Sequence, residues 1–281
     1  MQLTLAHRKK ITLWYCIIFY ALMLLKWFNG MFLYQLKPYL FNNRFDMFTW
    51  LLMKTGVHEW LLNNPVGWLC FDVAFYAMPL LVFWALNKSI RIAAIASVVM
   101  LIVNWVYIQC YTLYPANSIE SFTAWLLFPF LFITINLRSF YFVLNGLRFF
   151  FLYFFASAGV WKIVQHGVFN VHQMSGVLLY QHKEYLTSSS NWYTNFIYWL
   201  IHHPYIGYLL YVAGTVLELS FLVGFFTKKY DQLLILSFLI FLVMDILIMR
   251  IHYWEVTPFL LTLIYSKYSM PSLETSVSLK S

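Results

Sequence analysis

The stretch FFFLYFFASAGVWKIVQH, residues 149–166, is the part of the chain that decides its fold class. It is apolar for most of its length, becomes small at residues 156–159, and then places Lys162 near its end. Small residues let a neighbouring helix approach closely in lipid, and Gly159 and Lys162 are three residues apart and therefore share a helix face. An unpaired ammonium in hydrocarbon is expensive. Two interpretations stay open: a lysine that extends to the membrane surface, and a lysine that serves a site beside Gly159.

The composition extends this interpretation to the whole chain. Of 281 residues, 62% are hydrophobic and only 10% are charged, whereas soluble domains carry about 25% charged residues. The chain is therefore expected to be an all-α integral membrane protein. Its formal charge of +8 does not indicate nucleic acid, because the basic residues cluster in short loops between apolar stretches. There they act as topology signals and contact anionic lipid headgroups.

Eight apolar stretches are candidate membrane spans, and most approach the ~20 residues that cross a bilayer. The fourth and eighth are the shortest, so the expected range is seven to nine spans. No small-residue cleavage site follows the first stretch, which is therefore expected to be a retained span and not a signal peptide. We predict a bundle of about eight transmembrane helices in a single domain, residues 1–270, followed by a short polar tail, residues 271–281. The stretches are residues 11–28, 66–86, 91–113, 122–137, 141–163, 206–226, 230–250 and 253–266.

The distribution of basic residues predicts the orientation. With eight spans, the loops on the side of the N-terminus hold the basic clusters. The opposite side holds only Lys183 between residues 165 and 205, and Lys37, Arg44 and Lys54 spread over the long connection 29–65. The positive-inside rule then gives cytoplasmic termini in a bacterial inner membrane. Two long outer connections, residues 29–65 and 167–204, mix aromatic and polar residues and are expected to contain amphipathic helices lying at the membrane surface.

Ionisable residues inside apolar stretches are candidates for a site, each with a partner. Lys162 stands at the outer end of its span, Asp72 and Asp245 lie in the outer half of theirs, and Glu218 lies near mid-membrane. The alternative is structural pairing, of Lys162 with Asp72 or Asp245 and of Asp245 with Arg250. The candidate catalytic residues are Lys162, Glu218, Asp245 and His166; the candidate substrate-binding residues are Gly159, Asp72, His252 and Arg250.

The histidines and cysteines give weaker signals. His166 follows Lys162 by four residues and shares its helix face if the helix continues that far. The histidine spacings contain no zinc motif, so no metal site is expected. Cys70 and Cys110 come out at similar depth near the outer surface, where an oxidising compartment would allow a disulfide; small apolar core residues are the other interpretation.

The motif FASAGVWKI, residues 155–163, resembles the signature of the HTTM superfamily, the horizontally transferred transmembrane domain shared with vitamin K-dependent γ-glutamyl carboxylase. Phe155, Gly159, Lys162 and Ile163 match the pattern, and VLELSFLVGFF, residues 216–226, looks like the family's helix with a glutamate at Glu218. The resemblance implies that the lysine at Lys162 is a base that deprotonates a quinone-like molecule. Glutamate carboxylation itself is not expected, because these residues contain no large extra-membrane domain of the carboxylase kind.

Three functions follow as expectations. The first is a membrane-embedded enzyme or maturation factor that acts on a quinone-like or peptide substrate at the outer leaflet. The second is a non-catalytic membrane subunit that holds or helps export a secreted peptide or a partner membrane protein, with the charges as packing pairs. A proton-coupled transporter is a third and less favoured one, because the sequence shows no inverted repeat.

Overall fold

The structure is a computed structural model that describes residues 2–36, 47–111, 122–188, 190–251 and 253–271. These residues are helical or lie in turns, and the only β-type pairing among them is an isolated bridge between Gln2 and Ser269. The prediction of an all-α protein is confirmed. The α-helices are α1 Leu5–Phe28, α2 Met47–Lys54, α3 Val57–Leu62, α4 Pro65–Lys88, α5 Ile90–Tyr111, α6 Thr123–Ile133, α7 Leu137–Val164, α8 Gln173–Gln181, α9 Lys183–Ser188, α10 Trp192–His202, α11 Pro204–Ser220, α12 Val223–Phe226, α13 Asp231–Met244 and α14 Leu260–Ile264.

Within the described part of the chain, six helical segments are long and apolar enough to cross a membrane, where the sequence predicts about eight. The two remaining apolar helices, Thr123–Ile133 and Trp254–Ile264, are shorter. They correspond to the fourth and eighth predicted stretches. With a rise of about 1.5 Å per residue, eleven residues cover roughly 16 Å, against a hydrocarbon thickness of about 30 Å. The six spanning segments are Leu5–Gln35, Pro65–Lys88, Ile90–Tyr111, Leu137–Val164, Pro204–Phe226 and Asp231–Met249.

The chain divides into two compact units, one formed by Met1–Leu147 with Tyr253–Ser281 and the other by Arg148–His252. The boundary falls within α7, so that this helix contributes residues to both units. The core of the first unit is aromatic. The rings of Phe75 and Tyr107 are stacked with centroids 3.8 Å apart, and Phe19 packs against Phe75 and Trp125. Large aromatic side chains supply much of the apolar area that such a core buries.

Two buried cations of the first unit lie at opposite ends of α1. Arg8 donates to the carbonyl oxygens of Phe132 (3.1 Å) and Thr134 (2.6 Å), at the end of α6. The Lys26 ammonium lies 4.9 Å from the ring centroid of Phe122, at the start of α6, and 2.5 Å from a carboxylate oxygen of Glu255. The short helix α6 therefore begins beside one end of α1 and ends beside the other.

The second unit contains most of the candidate site residues, whereas Asp72 lies in the first. The core of the second unit is again aromatic: Phe155 on α7 stacks on Phe221, with centroids 4.9 Å apart, and meets Phe238 on α13 edge to face. After Met244 the last helix of this unit widens into a π-helical turn, Asp245–Met249, and ends at Arg250, which has left-handed backbone angles. π-Turns in α-helices occur frequently at functional sites.

Candidate functional site

The amine of Lys162 is paired with Glu218. Lys162 stands in the last turn of α7, and its Nζ donates to Glu218 Oε1 on α11 at 2.8 Å. The Glu218 side chain is 4% exposed, whereas that of Lys162 is 28% exposed. The carboxylate is therefore buried, whereas the lysine side chain that pairs with it is partly exposed.

Gly159 is the reason why α7 and α11 meet closely enough for this pair. A Cβ atom at Gly159 would lie 2.9 Å from Leu219 Cγ and 3.2 Å from Glu218 Cβ, closer than packed side chains tolerate. The close approach expected from the small residues before Lys162 is thus present, and its partner is the helix that carries the glutamate.

Asp245 is the third charged group of this cluster. It opens the π-helical turn and lies near enough to Lys162 and Glu218 to interact electrostatically with both. The second oxygen of Glu218, Oε2, is buried and has no hydrogen-bond partner. Lys162 forms its ion pair with Glu218, Asp245 acts on this pair at longer range, and Glu218 Oε2 is left without a partner. We call Lys162, Glu218 and Asp245 the lysine cluster.

A second ion pair of the same unit shows what a satisfied pair looks like. Arg148 contacts both oxygens of Asp231, at 2.8 and 2.5 Å, and also donates to the carbonyl oxygen of Gly224. The two side chains are 1% and 4% exposed. With its bidentate geometry and no access from outside, this pair is a structural one.

Tyr211 is a neighbour of Lys162 that the sequence interpretation missed. Its ring centroid lies 5.5 Å from Lys162 Nζ, within the range of a cation–π interaction. Its hydroxyl occupies the space above Gly167, where a Cβ atom would come within 2.5 Å of it. Tyr211 precedes Glu218 by seven residues, which is two helical turns. This spacing could have predicted from the sequence that the two side chains share one face of α11.

The π-helical turn is held by residues from α8 to α10. The Ile248 carbonyl oxygen accepts from His182 Nε2 at 2.8 Å and from the Tyr193 hydroxyl at 3.4 Å. The Arg250 guanidinium lies between the rings of Tyr185 and Tyr193, 4.0 and 4.3 Å from their centroids. Burial raises the pKa of Tyr193 against the opposing effect of Arg250, so this hydroxyl keeps its proton and is able to donate.

The remaining candidates lie elsewhere or have other partners. Asp72 belongs to the first unit, where its carboxylate accepts from the Tyr107 hydroxyl (2.6 Å) and the backbone amide of Tyr34 (3.1 Å), an arrangement that satisfies it without a cation. Helix α7 ends at Val164 and His166 is exposed, with a positive φ of 59°. The helix does not continue far enough for His166 to share a face with Lys162, so that expectation is wrong.

The Arg250 side chain contacts aromatic rings and does not form the ion pair with Asp245 that was one of the structural alternatives; its backbone amide donates to the Asp245 carbonyl oxygen. His252 lies outside the described residues. The cysteines are free thiols, with Cys110 buried and Cys70 exposed, so the structure does not form the disulfide that was one of the two interpretations. In the described ranges, no group of three or more His, Cys, Asp or Glu side chains is able to hold a metal ion.

Comparison with known proteins found no matching family model, no similar curated protein and no similar solved structure. The resemblance to the HTTM superfamily therefore depends on the motif residues alone.

Proposed function

We propose that the lysine cluster is a proton-abstracting site, and that the protein is a membrane-embedded enzyme or maturation factor acting on a quinone-like or peptide substrate at the outer leaflet. The observation that supports this proposal is the arrangement of charges: a partly exposed lysine paired with a buried glutamate that has one oxygen without a partner, and a second acidic residue, Asp245, within electrostatic range. A cluster of one ammonium and two carboxylates is able to bind one additional proton.

The reaction starts with Lys162 as ammonium and with both carboxylates ionised. Lys162 passes one proton to Glu218 Oε1, along the existing 2.8 Å hydrogen bond, and becomes a neutral amine. The amine then removes a proton from the substrate group X–H, which leaves as X⁻. At the end Lys162 is ammonium again, Glu218 is a carboxylic acid, and Asp245 remains a carboxylate. One X–H bond is broken and one O–H bond is formed.

The membrane environment favours this direction for the cluster itself. Before the reaction its three groups carry one net negative charge, which is costly at low dielectric. After the reaction they are neutral. A Lys–Glu pair alone would instead gain a net positive charge. Asp245 therefore supplies the charge that lets the cluster accept a proton, and Tyr211 stabilises the ammonium form of Lys162.

The proposed relationship to the HTTM superfamily is supported by the positions of the motif residues. Gly159 provides the close approach to the glutamate helix, Phe155 stacks on Phe221 of the segment that follows Glu218, and Lys162 contacts Glu218 directly. Three of the four matching residues thus contact the segment that carries Glu218 or directly follows it. A quinone-like substrate is the part of the proposal that comes from the resemblance.

We further propose eight membrane crossings with cytoplasmic termini, in a bacterial inner membrane. The short helix α6 is supported as a crossing by its contacts at both ends, with Lys26 and Arg8 of α1. The segment Trp254–Ile264 starts beside Lys26, through Glu255, and is followed by Ser269, whose carbonyl oxygen accepts from the backbone amide of Leu3. Both short segments, together with the residues that flank them, therefore have contacts near the two ends of α1.

In the same proposal, the helices of the two long connections lie at the outer membrane surface. Large aromatic side chains on and beside α8 to α10 are mostly exposed, as expected for residues anchored among lipid headgroups. They are Phe169 (70%), Tyr180 (76%), Trp192 (77%) and Tyr205 (74%).

The alternative is a non-catalytic membrane subunit that holds or helps export a secreted peptide or partner protein. It is favoured by the Arg148–Asp231 pair, because that pair shows that this chain also uses buried charges for packing alone. In this case Lys162 and Glu218 are a second packing pair, and the identity of the cation matters less than its charge.

One experiment separates these functions. The full chain is placed in lipid nanodiscs with menadiol, a hydroquinone that reacts with oxygen mainly as its anion, and oxygen uptake is measured. If Lys162 is the base, both Lys162→Ala and Lys162→Arg lower the protein-dependent rate by about a hundredfold, and neither changes the thermal unfolding midpoint. Lys229→Ala and Lys229→Arg, at an exposed lysine of the same unit, are the matched controls and leave the rate unchanged.

Other outcomes contradict the proposal. Full activity in Lys162→Arg would mean that only the charge is needed. Loss of folding in both Lys162 variants would assign the pair to packing. A wild-type rate equal to that of empty nanodiscs would rule out a hydroquinone as the substrate of this lysine.

A further inference from the structure

A buried histidine binds the end of the last helix in the second unit. His182 follows α8, is 1% exposed, and donates from Nε2 to the Ile248 carbonyl oxygen at 2.8 Å. A carbonyl accepts only, so Nε2 carries the hydrogen. Ile248 is one of the last residues of the helix, whose carbonyl groups have no partner within it. In a membrane such a carbonyl needs a partner from elsewhere, and His182, supported by Tyr193, provides one.

The turn that ends at this anchor begins at Asp245. An α-helix advances by about 100° per residue, and the wider π-helical turn advances by less. The π geometry therefore changes the angle between Asp245 and Ile248. It lets the Ile248 side chain join the apolar cluster of α8 and α10 residues, which includes Leu178 and Ile197, while Asp245 stays within electrostatic range of Lys162 and Glu218.

Two further contacts maintain the same turn. The Arg250 backbone has a φ of 53°, a conformation that persists in a residue with a side chain only where the surroundings impose it. Its amide donates to the Asp245 carbonyl oxygen, and its guanidinium is enclosed by the rings of Tyr185 and Tyr193. Residues from α8 to α10 thus hold the turn at the Ile248 carbonyl and at the Arg250 side chain.

We propose that His182 is a positioning residue for Asp245: by binding the Ile248 carbonyl it holds the π-helical turn that begins at Asp245, and so sets where the Asp245 side chain lies relative to Lys162 and Glu218. The importance of this role for catalysis rests on the proposed function, but the positioning itself does not. His182 touches no member of the lysine cluster and acts only through the backbone of the turn.

The test compares His182→Gln with His182→Asn, two substitutions whose side-chain amides lie at different distances from the backbone. The amide nitrogen of His182→Gln takes the position of the imidazole Nε2 and keeps the hydrogen bond, whereas that of His182→Asn is too short. The readout is acetylation of Lys162 by acetic anhydride in nanodiscs, measured by mass spectrometry relative to the exposed Lys229. When Asp245 moves away, the ammonium form of Lys162 loses a negative neighbour, and the amine is acetylated about tenfold faster.

The expected pattern is a coupling between two positions. Asp245→Asn and His182→Asn each increase the Lys162 labelling ratio, His182→Gln does not, and His182→Asn has no further effect in the Asp245→Asn background. The control is His202→Asn, at an exposed histidine of α10 that bonds within its own helix, which leaves the ratio unchanged.

The proposal would be overturned if His182→Asn raised the Lys162 labelling ratio equally in the wild-type and Asp245→Asn backgrounds. It would also be overturned if His182→Asn left that ratio unchanged, or if His182→Gln raised it. Because acetylation needs no turnover, this result is independent of the function. Absence of Lys162-dependent menadiol oxidation together with the expected labelling pattern would refute the proton-abstracting site and leave the positioning intact.

Discussion

At the scale of single residues, what distinguishes the ion pairs is how completely each is satisfied. Arg148 and Asp231 use both carboxylate oxygens and exclude solvent. Lys162 and Glu218 use one carboxylate oxygen, leave the other without a partner, and leave the amine partly exposed. Sequence shows the charges but not their hydrogen bonds, so both pairs look alike before the structure is known. The incomplete pair is therefore the one to which we assign the proposed proton transfer, because one carboxylate oxygen has no partner within the pair.

Gly159 gives the prediction that belongs to this scale. In Gly159→Ala the new Cβ atom meets Leu219 and Glu218, and we expect a loss of about 1–3 kcal/mol in the free energy of unfolding. The measurement is unfolding by sodium dodecyl sulfate in mixed micelles. The expected loss exceeds the gain in helix propensity that alanine brings, which is roughly 1 kcal/mol.

The matched control is Gly146→Ala on the same helix, where a Cβ atom would meet nothing within 4 Å. We expect this variant to be unchanged or more stable by up to about 1 kcal/mol. Equal effects of the two substitutions would mean that α7 and α11 do not approach each other at Gly159.

At the scale of elements, apolar length predicts helices well and helix ends poorly. The predicted stretch 141–163 corresponds to α7, Leu137–Val164, because a long apolar run has only the helix available to it in lipid. The sequence does not reveal that the chain leaves the helix before His166 or that the last helix widens at Asp245. Both features are set by partners distant in sequence, such as His182 for the turn at Ile248.

Helix α6 gives the prediction for this scale, because its C-terminal carbonyl groups depend on Arg8 of α1. Arg8→Leu removes the donor to Phe132 and Thr134 and leaves buried carbonyl oxygens without partners. We expect a loss of about 2–4 kcal/mol in unfolding free energy, measured in the same detergent titration.

The matched control for that substitution is Arg91→Leu, which removes an exposed arginine at the start of α5. It is expected to change the unfolding free energy by less than about 0.5 kcal/mol. If both variants lose the same stability, the cost reflects the loss of a positive charge at the membrane surface and not the bonds to α6.

At the scale of the whole molecule, the sequence predicted an all-helical protein and selected residues that are in contact with one another, but it did not assign their partners. Gly159, Lys162 and Glu218 were predicted from local signals and are in contact. Asp72 was predicted from the same kind of signal and instead accepts hydrogen bonds within the first unit. Depth along a span can be counted from the sequence, whereas the direction in which a side chain faces depends on packing between helices that are far apart in the chain.

The number of crossings is the property of the whole molecule that decides where the site faces. With eight crossings and a cytoplasmic N-terminus, Lys228 and Lys229 face the cytoplasm, and residues 165–203 face outward together with the accessible end of Lys162. With the six long segments alone, the same lysines would face outward, against the positive-inside rule. The short helices α6 and Trp254–Ile264 account for the whole difference.

Cysteine accessibility tests this in intact cells, after Cys70, the exposed native cysteine, has been replaced by serine. With eight crossings, a membrane-impermeant maleimide labels Thr187→Cys but not Ile135→Cys or Tyr230→Cys, and all three react once the cells are permeabilised. With six crossings the pattern is reversed at each of the three exposed positions. The proposed outer-leaflet substrate depends on this result, because such a substrate reaches Lys162 only if the connection that contains Thr187 is on the outside. Labelling of Ile135→Cys and Tyr230→Cys in intact cells would therefore place the lysine cluster on the cytoplasmic side and exclude an outer-leaflet substrate.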